Sequence, residues 1–344
     1  MTVSAADRRI AQWLLVVAAL VFAMVVVGGV TRLTESGLSM VRWEPVVGII
    51  PPLNDAAWQA EFDHYKTFPE YQHVNRGMTL EEFKYIFWWE YSHRLLGRVI
   101  GLAYLLPFLY FLAKGYVRPG LRLRLWGLFI LGGLQGALGW YMVKSGLIDR
   151  PDVSHYRLAA HLSLALVIFA ALIWTALSLL RPPTGQGISA WGKDAGLRRL
   201  TWVLALALAA QIVLGAFVAG LNAGLSYNTW PLMDGRLVPT GLWMMEPWWI
   251  NLLENRTTLQ FLHRMTAYAL VAFAIWLWLH AKPRHEKPVG LAAHFVMAAI
   301  VVQAILGIVT LLLVVPVFWG AVHQAWAVVV LFSFVYFLHT ARRA

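Results

Sequence analysis

The sequence predicts an all-α integral membrane protein with eight transmembrane helices, arranged as two tandem, pseudo-symmetric four-helix bundles. Three observations lead there. First, 60% of the 344 residues are hydrophobic and only 13% are charged, with a mean hydropathy of +0.63. A soluble domain carries about 25% charged residues, so too little polar surface remains to coat a water-soluble globule. Second, mostly apolar stretches of the roughly 20 residues that a membrane span needs occur at about 10–31, 85–113, 125–143, 157–180, 200–220, 258–280, 289–313 and 318–340. Third, the motifs of the first four stretches recur in order in the last four. Disordered, collagenous and disulfide-rich classes are excluded by the high apolar content, aperiodic glycine and absence of cysteine. With no cysteine there is no disulfide, thiolate metal site, iron–sulfur cluster or covalently attached c-type haem.

Taken in order, the first stretch follows Arg8 and Arg9. Its apolar run is longer than a signal-peptide core and no small-residue cleavage site follows, so it reads as a retained span. The last two stretches share an uncharged run from Pro288 to Ala341, too long for one span, and Pro316 falls where a break is needed. Segments 1–12, 114–124, 181–199, 281–290 and 341–344 carry a net charge of +12, whereas 32–84, 144–157 and 221–257 carry −3. With the four charges inside spans these give the chain's +11. The positive-inside rule then places both termini in the cytoplasm. The basic excess is a topology signal and not a nucleic-acid-binding patch.

The repeat is read at a constant offset of 187 residues, from Gly28, Gly29, Gly37, Leu38, Ser39, Trp43 and Pro52 to Gly215, Ala216, Gly224, Leu225, Ser226, Trp230 and Pro239, the second glycine alone being replaced. His93-Arg94 matches His263-Arg264, Gln135 and Gly139 match Gln303 and Gly307, and His161 matches His323. Residues 1–180 are therefore an N-terminal bundle, 181–199 a polar cytoplasmic linker and 200–344 a C-terminal bundle. Each half starts inside and crosses four times, so the repeats are parallel, about an axis along the membrane normal.

Of eleven histidines, only His93, His161, His263 and His323 recur. All lie near the outer ends of spans, one on the second and one on the fourth helix of each half. Two imidazoles on facing helices suit a planar haem held by axial ligands. The alternatives are a histidine satisfied by neighbouring polar groups, a proton relay, or zinc. Zinc fits less well, because a structural site needs four ligands and each half offers two without cysteine. Arg94 and Arg264 are placed to pair with haem propionates or to snorkel to lipid headgroups. Gly97, Gly101, Gly132, Gly133, Gly136 and Gly139 allow close approach of a macrocycle or of a helix.

The halves differ at Glu90, one helical turn before His93, where the second half has Gln260. An ionisable group at membrane depth points to function, as proton shuttle or as stabiliser of developing positive charge. The structural reading is an ion pair with Arg94 or Arg98. Segment 32–84, rich in aromatics and acids, reads as a lid, an assembly surface or an interfacial aromatic belt. His64 and His73 have no metal-ligand spacing, and His155 lies close enough to the fourth span to support its histidine. His280, His285, His294 and His339 fall at inner ends and read as interfacial.

The run Glu82-Phe83-Lys84-Tyr85-Ile86-Phe87-Trp88-Trp89-Glu90-Tyr91-Ser92-His93-Arg94-Leu95-Leu96-Gly97-Arg98 resembles the second-helix signature of haem A synthases. Thr31-Arg32-Leu33-Thr34 with Ser36-Gly37-Leu38-Ser39, and Asn222-Ala223-Gly224-Leu225 with Tyr227-Asn228-Thr229-Trp230-Pro231, resemble the two loop motifs of that family. The likeness spans the whole chain and is closest to the alphaproteobacterial and mitochondrial form. It implies oxidation of the C8 methyl of haem O to a formyl group, through successive hydroxylations, to make haem A for cytochrome oxidase. It implies that His93 and His161 ligate the substrate haem, that His263 and His323 ligate a haem B, and that Glu90 is the essential carboxylate. It places the protein in the bacterial inner membrane, with haem sites toward the periplasm and with haem O synthase and cytochrome oxidase assembly factors as neighbours. Some members carry a cysteine pair in an outer loop; this chain has none, so no thiol role operates here. A di-haem b-type electron-transfer protein and a non-catalytic haem chaperone are the competing expectations.

Overall fold

The computed structural model describes residues 3–40, 49–146, 153–181 and 190–343. Trp43 of the repeat and the linker centre at 182–189 lie outside them. Eight helices are long and apolar enough to cross a membrane: α1 (Ala5–Leu33), α4 (Leu80–Ala113), α5 (Pro119–Gly146), α6 (His155–Leu180), α8 (Ala195–Gly220), α9 (Arg256–Arg284), α10 (Lys287–Leu312) and α11 (Val317–Ala341). Three shorter helices are α2 (Asp55–Tyr65), α3 (Pro69–His73) and α7 (Ala190–Lys193). No strand occurs among the described residues, only an isolated bridge between Met233 and Arg236.

All eight expected spans are present, most of them longer than the apolar runs that announced them. The reason lies in the caps. Helix α4 begins at Leu80 and not near 85, because Thr79 accepts from the Glu82 amide while the Glu82 side chain accepts from the Thr79 amide, a capping box. Helix α8 begins at Ala195, inside the expected 181–199 linker, because the Asp194 side chain caps the Leu197 amide at 3.0 Å. At 34 residues α4 is about 50 Å long, well beyond a hydrocarbon core of about 30 Å. Its projecting turns are clothed by α2, with Trp58, Phe62 and Tyr65 packed against Phe83, Ile86 and Phe87. Part of segment 32–84 is thus an ordered aromatic cap on α4.

The helices contact one another as two repeated sets. Within the N-terminal set α1 packs on α4 and α6, and α5 on α6; within the C-terminal set α8 packs on α9, α9 on α10 and α10 on α11. The first helix of each set lies against the last helix of the other, α1 on α11 and α8 on α6, and α6 meets α11 between them. These reciprocal contacts are what a pseudo-twofold relation requires.

Two seams break the symmetry: α1 packs closely on α6 whereas their counterparts α8 and α11 do not, and α4–α5 differs from α9–α10. Helices α9 and α10 run packed together, but their counterparts α4 and α5 approach only briefly. The approach is near the turn that joins them, where the Tyr104 hydroxyl donates to the Leu125 carbonyl at 2.7 Å and Phe108 meets Trp126 edge-on at 4.9 Å. Farther out, a methyl added at Gly101, Gly132, Gly133 or Gly136 would meet nothing within 4 Å.

Candidate functional site: four histidines in two pockets

Each repeated histidine rests its ring on a glycine of a neighbouring helix. His93 of α4 lies on Gly28 of α1, His161 of α6 on Gly139 of α5, His263 of α9 on Gly215 of α8, and His323 of α11 on Gly307 of α10. A methyl at these glycines would stand 3.0, 3.1, 3.1 and 2.9 Å from the respective rings. That is closer than side-chain carbons normally come, so glycine is what makes room for each imidazole. Three of the four also meet a glutamine one helical turn before the glycine. The Nε2 atoms of Gln135, Gln211 and Gln303 lie 3.2, 3.4 and 3.4 Å from the Nε2 atoms of His161, His263 and His323. Gln135 and Gln303 also donate to the carbonyls of their histidines, at 3.1 and 3.0 Å. At the fourth site the corresponding residue is Met24, which cannot donate.

Among the described residues the buried Nδ1 atoms of His161, His263 and His323 have no hydrogen-bond partner. Each of these imidazoles is thus held through Nε2 alone. Buried polar atoms are normally satisfied, and an imidazole with one unpartnered ring nitrogen, in a glycine-lined helical bundle, fits a metal ligand such as a haem iron would need. The donor set, two neutral nitrogens per bundle without thiolate or carboxylate, suits haem better than zinc. The residues present therefore fit a bis-histidine haem in each half.

Behind the second-helix histidines the two loop motifs repeat one construction. Arg94 Nη2 donates to the Met40 carbonyl and Arg264 Nη2 to the Tyr227 carbonyl, both at 2.7 Å, and these loop residues are 187 apart. Arg264 also donates to the Thr229 carbonyl at 2.9 Å. Neither arginine snorkels: both are largely buried and committed to loop carbonyls. The Nε of Arg264 has no partner among the described residues.

Glu90 and Gln260 occupy the same place, each 2% exposed, with opposite hydrogen-bond polarity. Gln260 donates to the Tyr227 carbonyl at 3.0 Å. Glu90 instead accepts: from the Ser39 hydroxyl at 2.8 Å and the Met40 amide at 2.6 Å on Oε2, and from Arg94 at 2.5 Å on Oε1. Three donors on two oxygens match an ionised carboxylate, which only accepts. The expected ion pair with Arg94 is present.

The pockets adjoin. Gln324, next to His323, donates to the Val25 carbonyl of α1 at 2.7 Å and lies against Gly29, beside the Gly28 that supports His93. At the histidine-bearing end of the bundles Arg32 donates to the Ala219 carbonyl and the Asn222 side chain, at 2.9 and 3.0 Å, so the loop motifs of the two halves touch. His155 proves to be a tie between halves: its Nε2 meets the Leu253 carbonyl at 3.0 Å. His64 and His73 join no cluster of metal-ligand groups among the described residues. Sequence reasoning missed Gln211 and the roles of Ser39 and Met40. The spacing Gln-x-x-x-Gly at 135–139, 211–215 and 303–307 is the signal that finds the glutamines.

Fold and site together define a polytopic membrane protein with one half-buried histidine pair in each of two repeated helical bundles. The chain belongs to the COX15-CtaA family, described as cytochrome oxidase assembly protein, which matches residues 11–335. It is similar to proteins named heme A synthase from Nitrosospira multiformis, 52% identical over 98% of this chain and 95% of that protein, and from Parvibaculum lavamentivorans, 53% identical over 96% and 94%. A heme A synthase from a Bradyrhizobium species is 54% identical over 93% of this chain and 87% of its own.

Proposed function

We propose that this protein is a haem A synthase of the bacterial inner membrane, an oxidoreductase that converts the C8 methyl of haem O to the formyl group of haem A. The observation that carries the reading is that two matched histidine pockets differ at one buried position, carboxylate in one and amide in the other. Full-length similarity to proteins of that name supports it.

In this reading the N-terminal pocket takes the substrate, with His93 and His161 on its iron, and the C-terminal pocket keeps a haem B on His263 and His323. A haem held on His263 and His323 would supply one-electron redox chemistry; methyl to formyl is a four-electron oxidation that takes its oxygen from water or dioxygen and exchanges its electrons with a partner outside this chain, and a neighbouring haem would serve as the relay. The Gln324 contact with α1 sets the two pockets side by side for that purpose. Arg264 offers its unpartnered Nε to a propionate. Gln135, Gln211 and Gln303 hold three imidazoles in place, on the histidines that would hold the haem iron.

Glu90 acts as a fixed negative charge. Moving a proton through it would break a buried hydrogen bond to Arg94, Ser39 or Met40, whereas its charge beside the substrate pocket stabilises positive charge developing at the methyl carbon without reorganisation. Haem O carries an isoprenoid tail, and the parted outer reach of α4 and α5 lets such a tail lie between helices and lipid.

The test is extraction of haem from protein expressed in a host that makes haem O and lacks any haem A synthase. Chromatography with mass detection is expected to find haem A, or its hydroxymethyl precursor, beside haem B. Haem B alone, near two per chain, would instead favour a di-haem electron carrier.

A further inference from the structure

At the end of the C-terminal bundle opposite its histidine pocket, three ligating side chains converge from segments about 90 residues apart. Asp194 caps α8, His280 lies in the last turns of α9, and His285 caps the end of α9. Asp194 Oδ2 is 2.8 Å from His280 Nε2 and 3.0 Å from His285 Nε2, and the three ligand atoms all lie within 4.8 Å of one another. His280 is 17 residues, about 25 Å of helix, beyond His263, so the cluster is separate from the haem pockets.

We infer that Asp194, His280 and His285 bind one divalent transition-metal cation of the zinc class. Two imidazoles and one carboxylate are borderline-soft nitrogen and oxygen donors that favour zinc-like ions over magnesium or calcium. With metal–ligand bonds of about 2.0–2.2 Å, neighbouring donors in a tetrahedral coordination sphere stand about 3.3–3.6 Å apart. The two His–carboxylate separations are a few tenths of an ångström shorter, so a small outward shift exchanges the two hydrogen bonds for an ion. Asp194 divides its labour: Oδ1 accepts the Leu197 amide that starts α8, leaving Oδ2 to the imidazoles. Gly196 makes room, since a methyl there would stand 2.9 Å from His280 Cε1 and 3.1 Å from Asp194 Oδ1. The side chains are 9–20% exposed, so an ion and a completing water can reach them.

The repeat sharpens the inference. The residue 187 before Asp194 is Asp7, which reaches Arg118 at 3.8 Å, so a carboxylate–cation contact ties the start of α1 to the turn between α4 and α5. In the second half the same carboxylate faces two imidazoles at the turn between α9 and α10. A bound ion would clamp α8 to that turn, at the inner end of the bundle whose α9–α10 seam is closed.

The test uses the full-length protein with its haem in place, freed of any histidine tag and treated with chelator. Titration with Co2+ should give tetrahedral-type visible bands at about one equivalent per chain, displaced by Zn2+. His280→Gln and His285→Gln should each weaken binding on the order of 100-fold or more, with haem content unchanged; Asp194→Asn keeps a capping oxygen and should weaken it too. X-ray absorption of the zinc-loaded wild type counts ligands without any variant, and two imidazoles are expected. Equal binding by the His280→Gln/His285→Gln double variant, no binding by the wild type, or fewer than two imidazoles would overturn the site.

Discussion

In the N-terminal half α4 and α5 meet through rings near the turn that joins them and then part, at the side of the bundle away from the other half. In the C-terminal half the matching α9 and α10 stay packed, and the seam whose backbones do not approach closely is α8–α11, which is turned toward α6. Both halves present the same histidines, glycines and arginines. What differs is the side on which each bundle can open. A pocket that opens toward lipid suits a hydrophobic molecule that enters and leaves; one closed toward lipid and facing the partner bundle suits a group that stays and exchanges electrons. The Glu90/Gln260 difference falls on the same division, with the charge in the half that opens.

The largest effects should come from the histidines, because they decide which haem each half holds. His263→Ala or His323→Ala should remove haem B from the purified protein and abolish product. His93→Ala or His161→Ala should abolish product while leaving about one haem B per chain, read by pyridine haemochrome and extraction. Loss of haem B from the His93 or His161 variants would reverse the assignment of the halves. Next in size is Glu90→Gln, which makes the first pocket like the second. Removing one preorganised electrostatic group typically costs 10²- to 10³-fold, and haem A formation should fall by about that much with haem content unchanged. The reciprocal Gln260→Glu sets a carboxylate oxygen against the Tyr227 carbonyl, so it should loosen haem B retention without adding activity.

The seam is tested more gently. The chain has no cysteine, so thiols can be placed at will. Gly101→Cys with Gly133→Cys spans α4 and α5 at positions where an added side chain meets nothing. Joining them with a short bifunctional thiol reagent should slow turnover roughly tenfold while haem B stays bound. Val271→Cys with Val301→Cys, at the matching places on α9 and α10, should join without effect. Equal slowing in both would show that the open seam is not the route of exchange.

How far the sequence foretold these features follows from what kind of interaction fixes each. Spans are set by apolar length, which composition carries, so all eight were legible; their ends are set by caps such as Thr79–Glu82 and Asp194, which a hydropathy reading passes over although the capping residues are plain in the sequence. The four histidines were legible because duplication sets them apart from the other seven. The glutamine at each was half legible, since Gln135 and Gln303 repeat while Met24 breaks the pattern at Gln211. The unequal seams were not legible, because α4, α5, α9 and α10 are all apolar and only packing distinguishes them. The meeting of Asp194 with His280 and His285 likewise depends on how α8 lies along α9.

Met24 gives the smallest and most discriminating prediction. At three sites a glutamine amide engages the imidazole Nε2, so iron binding through that nitrogen would first displace a hydrogen bond. His93 has a thioether in that place and pays no such cost. The N-terminal pair thus has one imidazole held and one unencumbered, whereas both imidazoles of the C-terminal pair are held alike. Met24→Gln should remove that difference: the low-spin haem signal of the N-terminal pocket should move toward that of the C-terminal one, and haem uptake should slow a few-fold, with product identity unchanged. Met24→Leu, which keeps size and adds no donor, should leave both readouts as in the wild type. A matching change in the leucine variant would assign the effect to packing against Gly97, where Met24 Cε stands 3.4 Å from the place of an added methyl, and not to the missing amide.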